Sequence, residues 1–316
     1  MMKKLLTILA VGLPFMLPAA DFSWHDTGGL HIDLEYKGNP VVRYQYEPID
    51  ESTPERRHDT YKPFYHVFDS SGEGFITKGP GGKFPHHRGI FYGFSRCSYT
   101  DAEGTKHEKI DTWHCKKAHQ VHRKILDQTA GDDAASLTSE IAWIDNEGKE
   151  FATEARTLTF SYNDKNDLVV DFNTVLTPKV PSMKVDGDPQ HAGFQFRASN
   201  EVSEKTAKQT YYIRPGTGKA QEGATINWSA KLDNETTTNL PWKAMSFVTG
   251  GKRYTVAYID SEKNPKPARF SERDYGRFGS YFFKEITPSE PLQVQYKLVI
   301  RQGEMTPAEV EAIPAP

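Results

Sequence analysis

Eight of the eleven histidines fall between His58 and His122, and two of them, His86 and His87, stand side by side ahead of Arg88 in the stretch GGKFPHHRGIFYGF. Histidine is the side chain whose proton moves near neutral pH, so acid–base or ligand chemistry is looked for here first. If RGIFYGF is a strand, its side chains alternate between faces and the two histidines diverge. That disfavours a chelate from the adjacent pair, leaves His87 for a cleft, and makes His86 a turn or support residue. Arg88 carries a permanent charge on a planar donor fork suited to carboxylate or sugar hydroxyl oxygens, the plain alternative being a structural ion pair. In KHEKIDTWHCKKAHQVHRK, Trp113 has the ring to stack on a sugar, Asp111 accepts hydroxyl hydrogens, and His122 opens the next alternating run. The segment lacks the H-E-x-x-H spacing of a zinc helix, so His114 and His119 read as loop histidines.

FATEARTLTF places Glu154 and Arg156 on one strand face, as a mutual ion pair or as a cleft carboxylate and its partner. QHAGFQFRASN places His191, Gly193, Gln195 and Arg197 on one face, which suits either a polyhydroxylated ligand or solvent. PARFSERDYGRFG adds Arg273, Asp274 and Tyr275 ahead of Gly276, as substrate contacts or as a corner. There is no G-x-S-x-G, no Walker loop and no G-x-G-x-x-G after a strand. The chemistry these residues support is that of a carbohydrate-active enzyme, an epimerase, lyase or hydrolase. His87 or His122 would be the general acid or base, and Glu154 or Asp274 the partner carboxylate. Arg88, Gln195 and Arg197 would hold hydroxyls or developing negative charge, with Asp111, Trp113, His191, Arg273 and Tyr275 lining the substrate. Two other classes stay open: a non-catalytic glycan-binding envelope protein stacking sugars on Trp113 and Tyr275, and a metal-dependent enzyme using His87, His122 and His191. No cofactor is expected unless it is a divalent metal, and the expected partner is a sugar or glycan.

The elements that must position these residues are strands. GLHIDLEY, DLVVDFNTVL and LQVQYKLVI alternate apolar and polar residues with a period of two. Turn clusters such as SSGEG, KGPGGK, DNEGKE and VTGGKRY recur between short runs rich in Val, Ile, Tyr and Phe. The stretch from Trp143 to Leu176 reads as consecutive antiparallel strands. The one helix signal of note is TPAEVEAI, with Thr306 as cap and Pro307 in the first turn. The pattern predicts an all-β protein: a large antiparallel two-sheet β-sandwich, supersandwich-like, with a polar loop insertion near 99–120, as a single domain over 21–316.

The first twenty residues, MMKKLLTILAVGLPFMLPAA, have the basic start, apolar middle and small-residue end of a secretory signal peptide. The mature chain is therefore expected to be exported, periplasmic or extracellular, without membrane insertion. A net charge of −3 argues against a nucleic-acid surface, and 37% hydrophobic with 12% aromatic residues argues against disorder. Cys97 and Cys115 are the only cysteines, and an exported compartment permits a disulfide between them without requiring one.

The order of several pieces resembles a bacterial family of unknown function labelled PmoA-like. The likeness is carried by YKPFYHVFDSSG, PHHRGIFYGF, IDTWH, HRKIL, EARTLTF, HAGFQFRAS and ERDYGRFG, which span nearly all of the mature chain. By that resemblance His87, Arg88, Asp111, Trp113, His122, Glu154, Arg197, Arg273, Asp274 and Tyr275 fall on the family pattern. Members often carry HPHHRG where this chain has Phe84-Pro85-His86-His87-Arg88, so a first histidine is missing. The family's methane-oxygenase label does not suit a chain without a series of spanning helices.

Overall fold

The structure is a computed structural model, and it describes residues 20–228, 231 and 234–316. The expected signal peptide lies almost wholly outside the described residues. Two large sheets carry the fold. One has eight strands, in the order Phe22–Thr27, His31–Tyr36, Asn39–Gln45, Phe64–Val67, Ile90–Phe94, Ala192–Arg197, Arg277–Tyr281 and Arg269–Arg273. The other has nine and is built around the meander Ala134–Ile144, Glu150–Tyr162 and Leu168–Pro178, extended by Leu292–Gln302, Lys252–Asp260 and Trp242–Thr249. All registered pairs are antiparallel, as the short turns and the period of two require.

The sandwich closes because each sheet offers one apolar row to the other. Tyr65, Ile90, Tyr92, Phe194, Phe196 and Phe278 from the first sheet share one core with Leu158, Phe160, Val170, Phe172, Tyr258, Tyr296 and Leu298 from the second. The Phe172 and Phe194 rings meet across the interface with centroids 4.2 Å apart, and Phe194 stacks on Tyr296 at 4.9 Å. Each large apolar side chain buried this way contributes about 1.5–3 kcal/mol.

The structure refines the sequence reading at three points. The region near 99–120 is only partly a loop: Cys97–Thr100 and Lys106–Ile110 pair with Ser182–Val185 and Lys284–Ile286 in a third sheet of four strands. The C-terminal helix forms at Pro307–Glu311 under a capping box from Thr306 and Glu309. A second helix with the same Thr-Pro start also forms at Pro54–Thr60, capped by Thr53. Finally, Cys97 and Cys115 are both buried free thiols, not a disulfide. Among the described residues no helix is long and apolar enough to cross a membrane.

Glu154, a candidate catalytic carboxylate, belongs to this core. Alternation along Glu150–Tyr162 turns it inward with Arg156, Leu158 and Phe160. Arg156 grips it with both fork nitrogens, Nε to Oε1 at 2.7 Å and Nη2 to Oε2 at 2.9 Å. Trp143 Nε1 and Thr174 Oγ1 donate to the remaining lone pairs at 2.8 and 2.7 Å. A carboxylate bound on all sides and fully buried holds the sandwich together and reaches no substrate. Glu154→Leu leaves the Arg156 charge buried without its anion, so urea unfolding of that variant should lose about 3–5 kcal/mol. The double variant Glu154→Leu/Arg156→Met should recover most of the loss, and a single variant as stable as the parent would contradict this assignment.

Candidate active site

The polar face of Ala192–Arg197 looks away from the core, yet it is not solvated: every residue of the strand is buried. Phe194 and Phe196 enter the sandwich, which turns Gln195 and Arg197 outward. Register places Phe91 and Gly279 on either side of Gln195, and Arg277 beside Arg197. Arg277 donates to Gln195 Oε1 at 3.2 Å and to Ser271 Oγ at 2.8 Å. Gly279 keeps this surface low, since a Cβ there would sit 2.4 Å from the Phe194 carbonyl oxygen and 2.6 Å from the Gln195 side chain.

Three loops cover the face. The first carries His86 and His87. The strand begins only at Ile90, so alternation does not reach them, and their rings lie 4.4 Å apart instead of diverging. Arg88 fixes this loop, donating to the carbonyls of Pro85 at 2.6 Å, His87 at 2.8 Å and His58 at 2.6 Å while packing on Tyr61 and Phe64. It is therefore a buried support, neither a substrate contact nor half of an ion pair. The second loop is a turn set by Asp111, whose Oδ1 accepts from the backbone N–H groups of Trp113 at 2.9 Å and His114 at 2.8 Å. The third is a turn in which His191 N–H donates to the Asp188 carbonyl at 2.9 Å, so His191 arrives ahead of the strand and not on its alternating face.

Hydrogen bonds decide which nitrogen each imidazole offers. Arg197 Nε donates to His87 Nδ1 at 3.0 Å; a guanidinium has only donors, so the His87 ring proton sits on Nε2. His114 Nδ1 lies 2.8 Å from Asp111 Oδ2, and His191 Nδ1 lies 3.1 Å from both Asp188 oxygens. A carboxylate accepts, so each of these rings carries a proton on Nδ1 and leaves Nε2 as the nitrogen not held by its carboxylate. His86 completes the group, with ring centroids 4.5 Å from His114 and 5.8 Å from His191. Burial, then the neighbouring His114 and Lys62, pushes the His86 pKa down to about 2; burial and Arg197 push His87 well below its ordinary value. Both are neutral at pH 7. His86 Nε2, His87 Nε2 and Arg197 Nη2 are all buried without a hydrogen-bond partner among the described residues.

Around this group the expected residues separate. Arg197 also donates to the Tyr275 carbonyl and lies 4.8 Å from the Tyr275 ring, which rests on Phe84 at 4.5 Å. Trp113 is only 2% exposed and packs on Phe91 and Phe64, with the Lys62 ammonium held at its carbonyl, so it supports the site from beneath and offers no stacking surface. Arg273 donates to the Glu272 carbonyl at 2.7 Å, and Asp274 pairs with Lys208 at 3.2 Å at the surface. His122 lies elsewhere, on the edge strand His119–Ala130, 3.1 Å from the Tyr44 hydroxyl and against the Tyr46 ring. The set His87, His122 and His191 is thus not assembled, and neither His122 nor Asp274 joins His87. His87, Asp111, His191, Arg197 and Tyr275 do come together, with Gln195 behind them.

The residues that sequence reading passed over are His86, His114, Asp188 and Lys62. A signal for His114 and Asp188 was present: Asp111-Thr-Trp-His114 and Asp188-Pro-Gln-His191 repeat one D-x-x-H spacing, and each forms the same i,i+3 carboxylate–imidazole pair. Lys62 is legible only from the fold, where burial among Tyr61, Phe91 and Trp113 lowers its pKa to about 7.

Fold and site together define an antiparallel β-sandwich protein with a histidine-lined outer face. The model of a family described as "Family of unknown function (DUF6807)" matches residues 31–314, and the chain belongs to that family. No curated protein matches it. Among solved structures it is similar in fold to a GalM/aldose epimerase homologue from C. elegans, at 8% identity and a TM-score of 0.36, covering 90% of this chain and 100% of that one. It is also similar to 4-alpha-glucanotransferase from Thermococcus litoralis, at 9% identity and a TM-score of 0.30, covering 90% of this chain and 40% of the other.

Two histidines outside the cluster give the protein a stability that depends on pH. Burial lowers the pKa of His66 to about 3 and of His122 to about 4, from an ordinary 6.5. Below pH 6.5 the unfolded chain takes up protons that the folded chain refuses, so stability falls as pH drops through that value towards 4 and is independent of these groups above it. Urea midpoints between pH 8 and pH 4 check this. His122→Phe, which keeps a ring beside Tyr46, should lose less stability than the parent between pH 6.5 and 5.

Proposed function

We propose that this chain is an exported carbohydrate-active enzyme whose reaction centre is the loop-covered outer face of the eight-stranded sheet. In this reading it moves a proton on a sugar-derived substrate next to a carbonyl or carboxylate, as an epimerase or lyase does. One observation carries the proposal. Arg197, 1% exposed, and His87, 3% exposed, are hydrogen-bonded to each other and each keeps one buried donor unpartnered, Nη2 and Nε2–H. Preorganised donors in a water-poor site stabilise an oxygen that gains negative charge, and removing one such donor typically costs 10²–10³-fold in rate. Since Arg197 occupies the His87 lone pair, His87 acts as a neutral hydrogen-bond donor and not as the base. The base is drawn from the bare lone pairs of His86, His114 and His191 across the site.

The placement of the carboxylates supports proton transfer over glycoside hydrolysis. Two-carboxylate hydrolysis needs one free acid and one free base or nucleophile. Asp111 and Asp188 are both committed to imidazoles, Glu154 is locked in the core and Asp274 faces Lys208. A purely glycan-binding role loses its main platform with the burial of Trp113. The likeness to PmoA-like proteins in motif order adds no activity to this reading.

Product analysis by NMR across a panel of uronic acids, keto-sugars and their glycosides tests the proposal. Turnover of one of these is expected, with kcat/KM lowered about 10²–10³-fold in His87→Phe and in Arg197→Lys, measured on variants that circular dichroism shows to be folded. Ligands that bind but are never converted would overturn it. Export is tested separately. The mature protein recovered from the envelope or medium of its host should begin at Asp21, and an intact Met1 on a cytosolic product would refute it.

A further inference from the structure

The three imidazoles that face one another pose an electrostatic problem. His114 and His191 are each fixed by a carboxylate at Nδ1, which leaves Nε2 as the free nitrogen of each ring, and His86 Nε2 is buried with no hydrogen-bond partner among the described residues. One nitrogen from each of the three lies within 4.8 Å of the other two. Three imidazole nitrogens brought this close, one of them buried without a partner, are an arrangement that a shared cation would satisfy.

We propose that His86, His114 and His191 form a binding site for one divalent transition-metal ion of the zinc type. The donor set is all imidazole, which suits Zn²⁺, Co²⁺ or Ni²⁺ and excludes the oxygen-seeking Ca²⁺ and Mg²⁺. Tetrahedral Zn–N bonds of 2.0–2.1 Å put ligand nitrogens about 3.3 Å apart. The three rings, each half-buried on a loop, would close from within 4.8 Å to that spacing on binding the ion. Asp111 and Asp188 supply what a bound metal needs around its ligands: they fix tautomer and ring orientation, raise the basicity of the ligating nitrogens, and together balance the double positive charge. His87 is no ligand, since Arg197 holds its Nδ1 and its Nε2 carries the proton. Three protein ligands leave a fourth position open beside His87 and Arg197, as catalytic rather than structural sites do. A second trio, His107, Asp145 and Glu147, lacks this character. Its Asp145 is spent on Tyr99 and the backbone of Glu147 and Lys149, and Glu147 is exposed.

The metal site rests on the location of the reaction centre proposed above, but not on its chemistry. The ion would pass the role of base from an imidazole lone pair to a solvent molecule on its open position. The test reads metal alone, without substrate, on the full chain expressed without a polyhistidine tag and freed of metal with a chelator. Co²⁺ titration followed by visible absorption, with Zn²⁺ competition, should show one ion per chain. Affinity should drop at least 100-fold in His86→Ala, His114→Ala and His191→Ala, drop 10–100-fold in Asp111→Asn and Asp188→Asn, and stay at the parent value in His122→Ala. Circular dichroism identifies any variant that fails to fold, and Asp188→Asn, altered on a turn, gives a second route to the same answer. Failure to bind one equivalent, or binding that survives loss of the three histidines, would overturn the site. Stoichiometric binding without any sugar turnover would leave the site standing and remove the proposed reaction.

Discussion

The outward row of the strand Ala192–Arg197 has no access to water, and each donor on it must be met by protein or by a ligand. Much else follows from that constraint. Arg277 is tied off on Gln195 and Ser271, and Gln195 on the Ala192 carbonyl. Arg197 reaches carbonyls of the neighbouring turn and the lone pair of His87. Loops that would otherwise be free to wander are pinned by these bonds, and the imidazoles they carry are brought within contact distance. Satisfaction is incomplete at Arg197 Nη2 and at the Nε2 atoms of His86 and His87 beside it, as it is at buried polar atoms elsewhere among the described residues.

Charge is handled in two ways. Glu154 and Arg156 neutralise each other inside the core with every lone pair used. Beside the site, Lys62, Arg88 and Arg197 are buried with carbonyls, rings and an imidazole for company and, among the described residues, no carboxylate in contact. Cations buried without counter-ions raise the local potential, which adds to burial in holding the pKa values of His86 and His87 down.

The strand framework was legible because its cause is local. A period of two in residues 168–176 and 292–300 reports a half-buried strand whatever it packs against, and those rows do line the core. The same logic placed Glu154 beside Arg156 and left open whether they were a cleft pair or an ion pair; only packing decided that. It failed at His86 and His87, where alternation was extended past the start of the strand at Ile90 into a turn. His122 and Asp274 were chosen for residue type, and type carries no information about which loop folds onto which. The helix at Pro54–Thr60 was readable from its Thr-Pro start, and the D-x-x-H repeat from its spacing, had each been given the weight of a hydrogen-bonding pattern.

The three facing imidazoles sit at positions 86, 114 and 191, on loops that different parts of the chain deliver. The meander of the nine-stranded sheet closes through neighbouring hairpins, whereas Ile90–Phe94 meets Ala192–Arg197 across about a hundred residues. Contacts of such separation carry a large loop-closure entropy and form late. A chain halted partway would therefore already show the spectroscopic signature of extensive sheet while its histidines remained strangers to one another.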